Sequence, residues 1–196
     1  GEKSLSTNIL GSKSTAVGTF SLFNQNPASA VDMYNVAVGY DAGNAVTTGI
    51  ANTLIGGLAG DALTDSDRNT AVGFQALTAD TLGQYSTALG YFALGSQNFT
   101  SGTDAYNTAI GYVAGASITT GVQNTLIGGL AGDALQDADF NVAFGYAALT
   151  ADTLGSHSVA IGHDALASQN FTSATNSYNT AVGSQAGVAV TTGIRN

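Results

Sequence analysis

The sequence predicts an all-β protein whose chain winds into a parallel β-solenoid (β-roll) of about ten coils. A five-residue motif, Asn107-Thr108-Ala109-Ile110-Gly111 in one copy, recurs ten times along the chain. Its closing glycines are 17 residues apart (a short interval) or 21 residues apart (a long interval), and one long interval followed by three short ones makes a 72-residue superperiod. Units this short cannot hold a helical hairpin, which needs about 33 residues, but they suit one coil of stacked strands.

The superperiod also repeats residue identities, not only the glycine spacing. The segment from Asn52 to Leu63 is identical to that from Asn124 to Leu135, and Ala76 to Gly83 is identical to Ala148 to Gly155. The motif glycines themselves are Gly18, Gly39, Gly56, Gly73, Gly90, Gly111, Gly128, Gly145, Gly162 and Gly183.

The amino-acid composition limits the thickness of the core and the classes of molecule that the chain can bind. The 196 residues include 26 glycines, one proline and no cysteine; 44% are hydrophobic, and most of those are small, so we expect a thin core. The net charge is −9 with only four basic residues, which disfavours binding to nucleic acid. No apolar run is long enough to predict membrane insertion.

Two regions are predicted from the repeat. Residues 1–13 are interpreted as an N-terminal cap or entry segment, because the motif-like Asn8-Ile9-Leu10-Gly11 lies too close to Gly18 for the period. Residues 14–196 form the solenoid. Asn196 begins the next expected coil, so we expect the repeat to continue or open ends to stack on other copies.

The motif itself predicts a short strand that is apolar on both faces. Side chains alternate along a strand, so Thr108 and Ile110 share one face and Ala109 takes the other. Such a strand is typically buried on both sides. One face would line the coil, and the other would meet a partner chain or a third strand of a wide coil. The predicted core or subunit-interface residues are Val38, Ile55, Val72, Leu89, Ile110, Ile127, Phe144, Ile161 and Val182.

An asparagine opens most copies of the motif. Asparagine tolerates left-handed backbone, and stacked amides can form hydrogen-bonded ladders, so these residues predict a corner ladder. Its members are Asn35, Asn52, Asn69, Asn107, Asn124, Asn141 and Asn179. Alanine stands at the third position after the glycine in nine of ten copies, which indicates a close approach at that point.

The 21-residue units predict protruding loops. Their four extra residues fall within residues 23–33, 95–105 and 167–177. Two of these loops carry the sequence Asn-Phe-Thr, which makes Asn98, Phe99, Asn170 and Phe171 candidate loop contacts. We expect the two phenylalanines either to fold back onto the solenoid, the favoured alternative, or to remain exposed.

One copy has a specific resemblance. Ser158 to Ala167, which reads SVAIGHDALA, resembles the head repeat of YadA-like trimeric autotransporter adhesins, and the other copies from residue 14 onward are looser matches. The resemblance implies a left-handed parallel β-roll and three chains packed through the apolar strand face. The units here are longer than is typical of that family.

Metal-binding residues are sparse. Hard cations favour oxygen clusters, so the densest acidic sets are calcium candidates: Asp61, Asp65, Asp67, Asp133, Asp137 and Asp139. Solvated turn residues are the favoured interpretation of these positions. His157 and His163 are isolated and are interpreted as surface residues, and no cofactor is expected.

These observations favour a structural function. We expect a rigid repeat segment of an extracellular fibre or surface adhesin, bacterial or viral, that is a homotrimer and contacts a host protein or glycan through its long loops. One alternative is ice binding by a flat threonine face; another is a glycan-cleaving enzyme of the tailspike kind. The chain has no cysteine, one glutamate and no catalytic spacing that stands out, so we do not expect an enzyme.

Overall fold

The computed structural model describes residues 1–196 as an all-β solenoid without helices. Ten three-residue strands, one per motif copy, form a single parallel sheet with consecutive coils as neighbours. These strands are β2 (Thr15–Val17), β4 (Val36–Val38), β5 (Thr53–Ile55), β6 (Thr70–Val72), β8 (Thr87–Leu89), β10 (Thr108–Ile110), β11 (Thr125–Ile127), β12 (Val142–Phe144), β14 (Val159–Ile161) and β16 (Thr180–Val182). The predicted fold class is confirmed.

The motif glycine explains how closely the coils stack. Residues pair strictly in register, as Thr108 does with Thr125 and Ile110 with Ile127. The glycine that follows each strand has a positive φ, 142° at Gly111, and a Cβ there would overlap the backbone of Gly128. Only glycine allows both this conformation and this approach, so the glycine column sets the distance between coils.

Each 21-residue coil adds a short strand pair beside its long loop. The pairs are β1 (Gly11–Ser12) with β3 (Val31–Asp32), β7 (Gly83–Gln84) with β9 (Thr103–Asp104), and β13 (Gly155–Ser156) with β15 (Thr175–Asn176). All three pairs are parallel, so each loop returns to the coil in the same direction as the strand before it.

The core is a narrow column of small side chains. In the large sheet, the middle residue of every strand after β2 is buried, and so are most of the alanines at the third position after the glycine. Together with leucines, these residues belong to a cluster of 27 buried residues. Ala109 and Ala114 are fully buried in one coil, and Leu126 and Ala131 in the next. The thin core expected from composition is therefore present.

Residues 1–13, predicted as a cap or entry segment, follow the path of the coil after them. Gly1 stands one short interval before Gly18, and a Cβ at Gly1 would overlap the Gly18 backbone, as at other motif glycines. Lys3 and Leu5 have positive φ, as do Phe20 and Leu22 in the following coil. The motif-like Asn8 to Gly11 hid this register in the sequence.

No element of the fold is a helix that could cross a membrane.

Candidate functional site

The candidate site is the outer strand face, which we define as the first and third residues of the ten strands in the large sheet. Because strand side chains alternate, the buried middle residues direct both of their neighbours outward. The first residues are Thr15, Val36, Thr53, Thr70, Thr87, Thr108, Thr125, Val142, Val159 and Thr180. The third residues are Val17, Val38, Ile55, Val72, Leu89, Ile110, Ile127, Phe144, Ile161 and Val182.

The chain leaves this face uncovered. Ile55, Leu89, Phe144 and Val182 are 38%, 43%, 55% and 67% exposed, and the other predicted residues of the column, from Val38 to Ile161, are partly exposed. None of them belongs to the core, so that part of the prediction is wrong, and so is the alternative of a third strand that covers the face. The middle residues, Ala or Leu, form the core instead.

A column of mostly large side chains borders the face on the side where the strands begin. It consists of the residue before each of the ten motif copies, together with Arg195 before Asn196: Lys13, Tyr34, Ala51, Arg68, Tyr85, Tyr106, Gln123, Phe140, His157, Tyr178 and Arg195. All eleven have left-handed backbone, with φ from 49° to 61°. The rings of Tyr85 and Tyr106 stack at 5.0 Å between centroids, and His157 stacks between Phe140 and Tyr178.

A second column borders the face just after the motif glycines. Phe74, Tyr91 and Tyr112 stack with centroid distances of 6.0 and 5.4 Å, and Tyr146 stacks on His163 at 5.6 Å. The face between the two columns contains no carboxylate, although the chain has 13 acidic residues. The face therefore consists of a threonine-rich column and an aliphatic column, and aromatic rings border it on both sides.

The seven predicted asparagines lie in one buried column beneath the start of the strands. The Asn107 side chain donates to the Gly121 carbonyl at 2.7 Å, and its Oδ1 accepts the backbone N–H of Asn124 at 2.9 Å. The ladder thus joins side chains mainly to backbone. The residue with left-handed backbone at this corner is the one before each asparagine. Tolerance of that conformation is therefore not the reason for asparagine here; its side-chain hydrogen bonds are.

Serine interrupts the ladder at Ser86, and a glutamine from the long loop bridges the interruption. Gln97 donates through Nε2 to Ser86 Oγ at 3.1 Å, and its Oε1 accepts from Asn107 Nδ2 at 2.9 Å. Gln169 does the same between Ser158 and Asn179. The protruding loop is therefore part of the buried polar network.

A buried carboxylate holds the base of this loop. Asp80 accepts hydrogen bonds from Gln97 Nε2 at 2.6 Å, from the Gly83 N–H at 3.0 Å and from the Phe99 N–H at 3.2 Å. We call this arrangement the carboxylate clamp. Burial raises the pKa of Asp80, while these hydrogen bonds act in the opposite direction. Asp152 forms the same clamp with Gly155, Gln169 and Phe171.

The clamp determines which side chains of the long loops lie at the surface. Phe99 and Phe171 are only 5% and 6% exposed, so they have folded back and are not available as loop contacts. Asn98 and Asn170 are exposed, and each accepts a hydrogen bond from a threonine of the coil before it. Of the four candidate loop contacts, only the asparagines remain at the surface.

The six calcium candidates are not brought together as a site. Asp61 accepts from Thr78, Asp65 from Thr48, and Asp67 from the Ile50 N–H, all in adjacent coils. Asp133, Asp137 and Asp139 repeat these contacts one superperiod later. No three acidic or imidazole side chains meet in a metal-binding arrangement. These aspartates tie neighbouring turns to each other.

Sequence reasoning missed the two aromatic columns and the clamp. The columns had a visible signal, since an aromatic residue stands immediately before the motif in five of its ten copies and immediately after it in five. The clamp had a weaker signal in the sequence, because Asp80, Gln97 and Phe99 all recur one superperiod later.

Comparison of the chain with protein-family models, with curated proteins and with solved structures found no match.

Proposed function

We propose that the chain is a structural repeat segment of an extracellular fibre or surface adhesin that assembles with copies of itself, as a homotrimer, through the outer strand face. The observation that carries this proposal is the exposure of a continuous apolar column on a chain whose core is otherwise closed. Large contiguous apolar patches on soluble proteins typically mark interaction surfaces.

The size of the face fits a stable contact. Ten strands at about 4.8 Å span roughly 48 Å, and the six residue steps from one aromatic column to the other span about 20 Å, so the face covers on the order of 950 Å². A standard interface takes about 800 Å² from each partner, so the whole face, shared by the two neighbours in a trimer, buries about as much surface per chain as one standard interface. Aromatic residues are also enriched in interface cores, and charged residues are depleted there.

The charge distribution permits a second copy of the chain as the occupant of this face. With a net charge of −9, two chains repel one another at random orientations. The outer strand face has no carboxylate, so face-to-face packing brings the fewest like charges together. The number three comes from the resemblance of the motif to trimeric adhesin heads. In this arrangement the long loops, with Asn98 and Asn170, stay outside and are available to a host protein or glycan.

Electron microscopy of the purified particle tests the proposal. We expect rods with three lobes in cross-section and with the loops outside. Single thin rods at micromolar concentration would contradict self-association through this face.

Ice binding is a second candidate because the first outward column holds threonine at seven of ten positions. A regular, exposed threonine row is the feature on which that function would depend. A thermal-hysteresis measurement on the native particle separates the two proposals: activity that is lost in Thr108→Tyr would favour ice binding, and inactivity would leave the fibre proposal in place.

A further inference from the structure

Four of the eight tyrosines form two stacked pairs between the same two coils. Tyr85 and Tyr106 have ring centroids 5.0 Å apart and planes inclined by 19°. Tyr91 and Tyr112 have centroids 5.4 Å apart and planes inclined by 14°. The first pair borders the outer strand face on one side and the second pair borders it on the other.

In the single chain both pairs are partly exposed, and the coil holds them in place. Tyr91, Tyr106 and Tyr112 are about half exposed, and Tyr85 is partly exposed. The strands next to them, β8 and β10, pair in register, so each ring remains opposite its partner. Fixed proximity of two reacting groups raises the rate of their coupling far above that of free groups.

We propose that these two pairs are sites of oxidative tyrosine cross-linking within one chain. A one-electron oxidant removes one electron and the phenolic proton from each ring of a pair. The two phenoxyl radicals join through a carbon–carbon bond between ring positions ortho to the oxygens. The two displaced ring hydrogens move to the phenolic oxygens, so each bond costs the chain two hydrogen atoms and reduces the oxidant by two electrons.

The position of these bonds gives them a structural effect. Each bond spans one long interval of the repeat, across the coil that carries the long loop at residues 95–105. A cross-link there closes the base of the loop covalently and reduces the freedom of the unfolded chain, as other cross-links do. The modified chain is therefore expected to melt at a higher temperature.

The other four tyrosines serve as internal controls. Tyr146 and Tyr178 stack on His163 and His157, which occupy the positions of Tyr91 and Tyr85 one superperiod later. Tyr40 contacts Phe20 edge-on, and Tyr34 lies under Lys13. None of them has another tyrosine as its stacking partner, so the structure assigns cross-linking to one superperiod only.

Brief photo-oxidation with a ruthenium polypyridyl sensitiser and persulfate, followed by peptide mass spectrometry, tests this proposal. We expect Tyr85 bonded to Tyr106 and Tyr91 bonded to Tyr112, on chains that still run singly under denaturing conditions. The double variant Tyr106→Phe/Tyr112→Phe should lose both bonds, and His157→Tyr should add one to Tyr178. Bonds mainly between chains, bonds at Tyr34 or Tyr40, or none at all would overturn the proposal.

Discussion

Asn8 and Asp80 occupy the same position of the superperiod, yet only Asp80 completes a clamp. In the first coil Gln25 takes the place of Gln97, and its buried Nε2 has no hydrogen-bond partner. Asn8 uses its Oδ1 for the Gly11 N–H and has an amide nitrogen where the aspartate has its second oxygen. The first coil therefore lacks the carboxylate acceptor for its glutamine, and Pro27 stands where the clamp has the Phe99 N–H donor.

The variant Asn8→Asp should stabilise the protein because it supplies the missing acceptor to Gln25. A new hydrogen bond to a charged group contributes about 1.5 kcal/mol or more, less the cost of the buried charge, so we expect a net gain of about 1 kcal/mol in the free energy of unfolding. The reverse exchange, Asp80→Asn, removes the carboxylate acceptor from Gln97 and should cost about 1–3 kcal/mol. Urea titrations of both variants measure these changes; a loss in the first and no loss in the second would contradict the clamp.

The effect of pH on Asp80 has a definite sign. Burial raises its pKa in the folded chain above the unfolded value of 3.8. Its favourable contribution is therefore complete below that value and is lost as the pH rises through the folded pKa. As the pH rises from below 3.8 towards neutrality, the stability of the wild type should fall relative to that of Asp80→Asn, which cannot titrate. A difference that is flat or grows with pH would show that the hydrogen bonds outweigh burial.

Gly111 tests the glycine column. Alanine at this position combines a strained φ of 142° with overlap against the Gly128 backbone, so Gly111→Ala should destabilise the solenoid by about 2 kcal/mol or more. Gly57→Ala is the matched control, because its Cβ would meet only the Phe74 ring at 3.4 Å. Thermal unfolding followed by circular dichroism compares the two, and equal melting temperatures would contradict this role.

At the scale of the element, each strand divides three residues between core and surface. In β11, Leu126 is fully buried between the outward residues Thr125 and Ile127. The sequence motif could predict the strand and its alternation, because the period of two is a property of any strand. It could not predict which face was the core, because both faces are apolar and only the size of the coil decides.

A matched pair of charge substitutions in β11 separates folding from assembly. Leu126→Asp buries an unpaired carboxylate and should cost about 4 kcal/mol or more, enough to prevent folding. Ile127→Asp places the carboxylate on the outer strand face, where a single chain exposes it to water. We expect it to fold but to lose association with other copies. Circular dichroism measures the folding of each variant, and sedimentation velocity measures its association. An Ile127→Asp chain that still assembles would contradict the proposed interface.

At the scale of the molecule, the repeat makes the solenoid modular. Stability in such arrays comes from contacts between neighbouring units rather than from distant ones. The coil period, the superperiod and the parallel stacking could be predicted because they follow directly from the regular spacing of the glycines. The carboxylate clamp could not, because its donors lie on separate coils and meet only when a long loop folds back.

Removal of one superperiod should shorten the rod without unfolding it. Deletion of residues 53–124 joins Asn52 to Thr125 and restores the Asn-Thr sequence of the motif. The remaining coils keep their neighbours, and four coils at about 4.8 Å correspond to a loss of roughly 19 Å in length. Small-angle X-ray scattering measures this length. A collapsed or unfolded product would show that the coils depend on more than their neighbours.

The central claim is that copies of this chain cover one another's outer strand face. The most direct test is the mass of the native particle in solution, measured by light scattering during size-exclusion chromatography. The account predicts a single species of three times 19.5 kDa, and the same mass divided by three for Ile127→Asp. A wild-type species that remains at 19.5 kDa at every concentration would contradict it.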